Sequence, residues 1–168
     1  MWYIRNISWS LISSFEYSQL QFYESYVLRK EFIPNEYMKF WIDYEEMVAK
    51  KNYNLYKWQH MLLEKFNWYN IIGFIDFAWF WERVEVKTKS WWWSDTMVQK
   101  SRQFRIYNHY RWDNRLLLHQ YNKIRKEVKI KDIWWIDDTF EYDLMEKIKE
   151  IEKFLSRYDF KFLCNIND

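Results

Sequence analysis

Glycine, proline, cysteine and alanine are nearly missing from this chain: its 168 residues hold one Gly, one Pro, one Cys and two Ala. Average glycine use is about 7%, so the shortage is a bias of the whole sequence. One glycine excludes, in their usual form, the glycine-rich loop that cradles phosphates and the tight elbow that presents a nucleophilic serine. A lone Cys164 excludes an internal disulfide and any cysteine-based zinc site. His60, His109 and His119 are scattered without metal-ligand spacing, and each is expected to be structural. Arg102 and His109 are loosely similar to the Arg-x-His element of HEPN ribonucleases, but the surrounding signature is missing. No catalytic role, metal or cofactor is therefore expected. No run of about 18 uncharged apolar residues exists, so no membrane span is expected. Phe66 to Trp81 comes nearest, but Asp76 interrupts it and Asn67 and Asn70 dilute it; it reads as a buried helix. The opening MWYIRNISWS has neither the apolar core of a signal peptide nor the pattern of a transit peptide, and no cleaved import signal is expected.

What fills the chain is aromatic: 13 Trp, 14 Tyr and 13 Phe. Phe, Tyr, Asn, Ile and Lys have AT-rich codons, and reading UGA as Trp would let tryptophan accumulate too. An AT-rich organelle genome, and so a mitochondrial matrix location, is the expected source, with a computed sequence as the alternative. Charge is the second feature. Between Arg83 and Lys131 stand 13 Lys and Arg against 4 Asp and Glu, a net of +9, whereas residues 1–82 carry −2 and 132–168 carry −5. A near-neutral total thus hides a cationic middle, which points to a polyanionic partner, nucleic acid being the commonest.

Periodicity predicts a mostly helical chain. Helices are expected over Ile7–Phe32, ending before Pro34, over Asn35–Ala49 with Asn35 as cap, and over Leu55–Asn70 and Ile71–Trp81. Lys50 to Asn54 reads as a loop. Arg83 to Lys89 alternates with period two and predicts a strand. Trp91–Asp95 would turn and Thr96–Lys100 return, giving a β-hairpin over about 83–100. Helical pattern resumes at Arg105–Lys126 and Ile133–Tyr158. The expected fold is all-α: a bundle of about six helices with one protruding hairpin.

Several phrases occur in the order found in the ribosomal small-subunit protein S-seven family. Glu31-Phe32-Ile33-Pro34-Asn35-Glu36-Tyr37-Met38-Lys39-Phe40 is similar to K-F-x-x-x-L-L-A-K-F, and Met47-Val48-Ala49-Lys50-Lys51 to M-V-D-G-K-K without the Asp-Gly. Val84-Glu85-Val86-Lys87 matches the V-E-V-K that opens the family's hairpin. Tyr110-Arg111-Trp112, Lys123-Ile124-Arg125-Lys126 and the run Lys149–Phe160 resemble its later phrases. The chain thus resembles that family from Arg29 to Phe160, with residues 1–28 as an N-terminal extension and 29–168 as an rRNA-binding domain. The resemblance implies an all-α domain with a hairpin and a structural role in the mitochondrial small subunit. Its partners would be the 3′ major domain of small-subunit rRNA, neighbouring proteins of the head and mRNA near the hairpin.

The residues expected to touch RNA follow from charge and exposure. Arg102, Arg105, Arg111 and Arg115, at spacings of three, six and four, would form a ladder of phosphate contacts on one helix. Arg83, Lys87, Lys89 and Lys100 lie on the expected hairpin, whose tip Trp91-Trp92-Trp93 would stack on unpaired bases. Lys50 and Lys51 in the expected loop, and Lys123, Arg125 and Lys126 at a helix end, complete the set. For each there is a plainer account: aromatics fill cores and cations cover solvated faces or helix C-termini. Asp137, Asp138, Glu141, Asp143 and Glu146 read as a solvated or protein-facing surface. One alternative function is a regulator-of-G-protein-signalling module binding a Gα subunit. Glu31-Phe32, Phe40-Trp41 and Tyr44-Glu45-Glu46 resemble that family over residues 22–51. A designed helical protein without function is the other.

Overall fold

The computed structural model of the chain describes residues 4–31, 33, 35–53, 55–111 and 114–157. In chain order it contains β1 (Asn6–Ser8), α1 (Trp9–Tyr17), α2 (Gln19–Phe22), a π-helical turn (Tyr23–Val27), α3 (Glu36–Asn52), β2 (Lys57–Phe66), β3 (Tyr69–Trp79), β4 (Glu82–Lys89), α4 (Asp95–Lys100), α5 (Arg102–His109), β5 (Arg115–Asn122), β6 (Glu127–Ile133) and α6 (Phe140–Leu155). The fold is mixed α/β, not all-α. Six strands form one mixed sheet in the order β1-β3-β4-β5-β6, with β2 also paired to β3.

The chain divides into two compact units, and β2 and β3 each pass from one to the other. The first comprises residues 1–32, 62–73 and 137–168. Here β1 runs parallel to the start of β3, with Ile7 opposite Ile71. Ser8 and Ser18 cap α1 and α2, each accepting a backbone N–H at 3.2 Å. α6 buries Phe140, Leu144, Ile148, Ile151 and Leu155, the three- and four-residue spacing of one helix face. Phe22 sits edge-on to Phe15 and Phe154 at ring distances of 5.3 and 6.0 Å.

The second unit comprises residues 33–61 and 74–136. Asn35 caps α3 as expected, its Oδ1 accepting from Met38 N–H at 2.8 Å. The end of β3 pairs antiparallel with β4 (Phe77 opposite Val84, Ala78 opposite Arg83), β4 runs parallel to β5, and β5 is antiparallel to β6. A parallel neighbour cannot be reached by a tight turn. The chain therefore leaves β4 through α4 and α5 before returning as β5.

That topology corrects the hairpin expected over 83–100. Its first arm is β4, but Thr96–Lys100 lies in α4, capped by Ser94 at 3.2 Å from Met97 N–H, and Trp91–Trp93 is a connection rather than a tip. The helices expected over 55–70 and 71–81 are β2 and β3, and the one over 105–126 is α5 followed by β5. The helix expected over 7–32 is broken into β1, α1, α2 and the π-helical turn, and the one over 133–158 begins only at Phe140. Phe32, Pro34, Trp112 and Tyr158 lie outside the described residues.

Candidate functional site

The second unit places two carboxylates, an amine, an amide and a phenol together. Asp76 comes from β3, Glu85 and Lys87 from β4, and Gln103 and Tyr107 from α5. Positions 85 and 87 share one face of a strand, and 103 and 107 one face of a helix. β3 pairs with β4 through Phe77 opposite Val84. Just beyond, Val86 N–H donates to Asp76 Oδ2 at 2.8 Å, so a side chain takes a donor of the sheet.

Glu85 is the centre of the group. It is 2% exposed, and its Oε1 accepts from Lys87 Nζ and from Gln103 Nε2, both at 2.5 Å. Gln103 Nε2 also approaches the Tyr107 hydroxyl at 3.4 Å, and that hydroxyl donates to the Phe74 carbonyl at 2.7 Å. Glu85 Oε2 is buried without any hydrogen-bond partner. Burial pushes the Glu85 carboxyl up to about 7, and the charge of Asp76 adds to the rise, while Lys87 and Gln103 oppose it. Tyr107 is raised too, chiefly by burial and next by the nearby Glu85. A buried ionisable group without full compensation is costly unless something else completes its shell.

Among the described residues no three His, Cys, Asp or Glu side chains gather into a metal-binding group. Two carboxylates are nevertheless a sufficient protein contribution for Mg²⁺, which keeps several waters and takes its remaining oxygens from substrate phosphates. Asp76 and Glu85, close enough for the charge of one to raise the other, are the two carboxylates that could supply it.

The cations expected to contact RNA are scattered over the second unit. Lys87 belongs to the cluster. Arg83 is half-buried and donates to the carbonyls of Phe80 and Glu82, both at 3.2 Å, with burial lowering its pKa. Arg102 and Arg105 share α5, but Arg111 lies in the following turn and Arg115 opens β5, so the four form no single helical ladder. Arg115 is paired with Glu82 at 3.2 Å and Asp132 at 3.0 Å. Lys50 and Lys51 end α3 rather than occupying a loop, and Lys50 is paired with Glu46. Lys100 is exposed on α4, and Lys123, Arg125 and Lys126 lie in the turn between β5 and β6, not at a helix end. Lys89 lies 5.9 Å from the Trp91 ring, which is exposed. Trp92 and Trp93 are half-buried, Trp92 under Lys129 at 4.4 Å and Trp93 edge-on to Phe104.

No family model and no curated protein matches the chain. Among solved structures it is similar to one described as "Crystal structure of SSO0001", with a TM-score of 0.61 and 14% identity over 89% of this chain and 77% of that one. At that identity the likeness shows the fold alone, and it places a mixed sheet where an all-α bundle was expected. The all-α bundle implied by the ribosomal resemblance and by the G-protein-regulator alternative is corrected to a mixed α/β fold. Among the described residues no helix is long and apolar enough to cross a membrane.

Sequence reasoning did not single out Gln103, and read Asp76 only as an interruption of an apolar run and Tyr107 only as an aromatic among the cations. It took Glu85 as part of a family phrase, and Lys87 as an RNA contact rather than as the partner of Glu85. The available signal was an acid on one strand, Glu-x-Lys on the next, then Gln-x-x-x-Tyr on a helix.

Proposed function

We propose that this chain is a divalent-metal-dependent phosphodiesterase acting on nucleic acid. The observation that carries the proposal is Glu85: buried, with one oxygen unpartnered, next to Asp76 and held by Lys87 and Gln103. Asp76 and Glu85 would hold Mg²⁺ or Mn²⁺, which supplies Lewis acidity and lowers the pKa of a bound water. An ion held there would offset the burial, and next the charge of Asp76, that keep Glu85 partly protonated near neutrality. Lys87 then has a double task. It balances the carboxylate in the free protein, and it faces the extra negative charge that develops on a phosphoryl group under attack by water. In that step a new P–O bond forms, the bond to the leaving oxygen breaks, and that oxygen takes up a proton. Gln103 fixes the rotamer of Glu85, and Tyr107 is fixed by the Phe74 carbonyl, so the carboxylate needs little reorganisation when it meets the ion. The cationic stretch 83–131 supplies attraction for the phosphate backbone.

The test is cleavage of labelled single-stranded and duplex DNA and RNA, with Mg²⁺, Mn²⁺ or EDTA, by the wild type and by Asp76→Asn, Glu85→Gln and Lys87→Gln. The expected result is metal-dependent cleavage that each substitution lowers by about 100-fold or more, the scale of losing one charge-stabilising group. Absence of cleavage with either metal, or cleavage indifferent to all three substitutions, refutes the proposal.

A further inference from the structure

The turn between β3 and β4 exposes three consecutive aromatic rings. Trp79 is 41% exposed, Phe80 70% and Trp81 66%. Trp79 and Phe80 meet edge to face at 4.7 Å, and Phe80 and Trp81 lie tilted at 5.5 Å. Beside them is an open hollow of about 550 Å³ lined by Leu55, Tyr56, Ala78, Trp79, Phe80 and Arg83. Phe80 holds φ of 38°, a left-handed backbone that a bulky residue takes at a cost. Asn or Gly would suit that position better. A strained, exposed phenylalanine between two exposed tryptophans contributes nothing to a core.

We infer that this turn is a stacking platform for unpaired nucleobases, and that the substrate strand is single-stranded where it crosses the turn. Aromatic faces accept any base, and a cation beside them meets the backbone; Arg83 stands at the wall of the hollow. Charge favours this occupant: the unit that carries the turn has a net charge of +6. Arg83, the cross-strand partner of Ala78, lines the hollow from the face of β4 that also carries Glu85, two residues on. Trp79 stands on the opposite face of β3 from Asp76, so the substrate strand would have to pass around the turn to reach the carboxylates. The inference rests on the hydrolase reading for the strand's destination but not for its binding.

The decisive experiment measures binding in EDTA, so that cleavage plays no part. Fluorescence anisotropy is read on labelled oligo-dT, oligo-rU and a blunt duplex of equal length, for the wild type, Phe80→Asn and Trp81→Ala. Each substitution is expected to weaken single-strand binding about tenfold, with duplex binding unchanged. Phe80→Asn relieves the backbone strain, so it should also raise the melting temperature, which separates lost binding from lost folding. The two single strands distinguish DNA from RNA. Equal wild-type affinity for duplex and single strand, or single-strand affinity indifferent to both substitutions, overturns the platform. So does light scattering that shows Trp81→Ala turning a dimer into a monomer with strand affinity unchanged, since the turn would then join two copies. Aromatic-dependent binding without cleavage refutes the hydrolase alone, and cleavage with indifferent binding refutes the platform alone.

Discussion

Glu85 meets two opposed demands: the fold buries it, and the proposed chemistry needs it charged. Its carboxyl ionises near 4.5 in an unfolded chain and at about 7 in the fold. Between those values the folded protein holds more protons than the unfolded one, so stability falls as pH rises from about 4.5 through 7. Above that window the loss is complete, about 3 kcal/mol. Glu85→Gln keeps an oxygen for Lys87 and Gln103 and removes the charge. We expect this variant to melt at a higher temperature than the wild type at about pH 8, with the difference vanishing near pH 4.5. Mn²⁺ should restore the wild type at the higher pH and leave the variant unmoved. Melting curves across that range check both statements, and a variant less stable at the higher pH would refute the account of the burial. His119 acts in the opposite sense. Burial lowers its pKa, and its Nδ1 shares a hydrogen bond of 2.6 Å with the Tyr53 hydroxyl. It resists protonation, so its contribution is lost as pH falls below its ordinary 6.5. Comparing the variant with the wild type cancels that effect.

Among the elements, α4 decides between a hairpin and a crossover. Ser94 accepts the Met97 N–H, a cap that exists only if Asp95–Lys100 is helical. Ser94→Ala should therefore cost about 1 kcal/mol in a denaturant titration. No change would mean that the cap contributes nothing to the crossover. The same elements show what was legible. Arg83–Lys89 alternates, and β4 is a strand; Asn35 precedes an apolar run, and it caps α3. β3 and β5 were not legible as strands. Leu116–Asn122 is buried at every position, polar His119, Gln120 and Asn122 included, so no alternation of apolar and polar residues marks β5. β3 reads as a nearly continuous apolar run that periodicity cannot distinguish from a buried helix. The candidate site was hidden for a related reason. Asp76 read as an interruption in an apolar run, and Lys87 as one cation among thirteen. Only the register that aligns β3 with β4 brings them together.

At the scale of the whole chain, charge follows the two units. Residues 33–61 and 74–136 carry 17 Lys and Arg against 11 Asp and Glu, a net of +6, and the remainder carries 9 against 13, a net of −4. The cationic unit contains both the carboxylate cluster and the aromatic turn. The attraction that gathers a polyanion and the groups that would cleave it thus belong to one body. The cations within it are not equivalent. Arg115 is engaged by two carboxylates, whereas Lys100, Arg125 and Lys126 are exposed. Exposed cations release counterions when they meet phosphates, and each such contact adds about 0.7 to the slope of log affinity against log salt on a single strand. Changing Lys100, Arg125 and Lys126 together to Gln should therefore flatten that slope by about 2 if all three make contact. Arg115→Gln should leave the slope nearly unchanged and show its effect in stability. Anisotropy titrations in EDTA over a range of salt concentrations measure both. The opposite ranking would move the phosphate path away from α4 and the β5–β6 turn and toward the strand ends that bring Arg115 to Glu82 and Asp132.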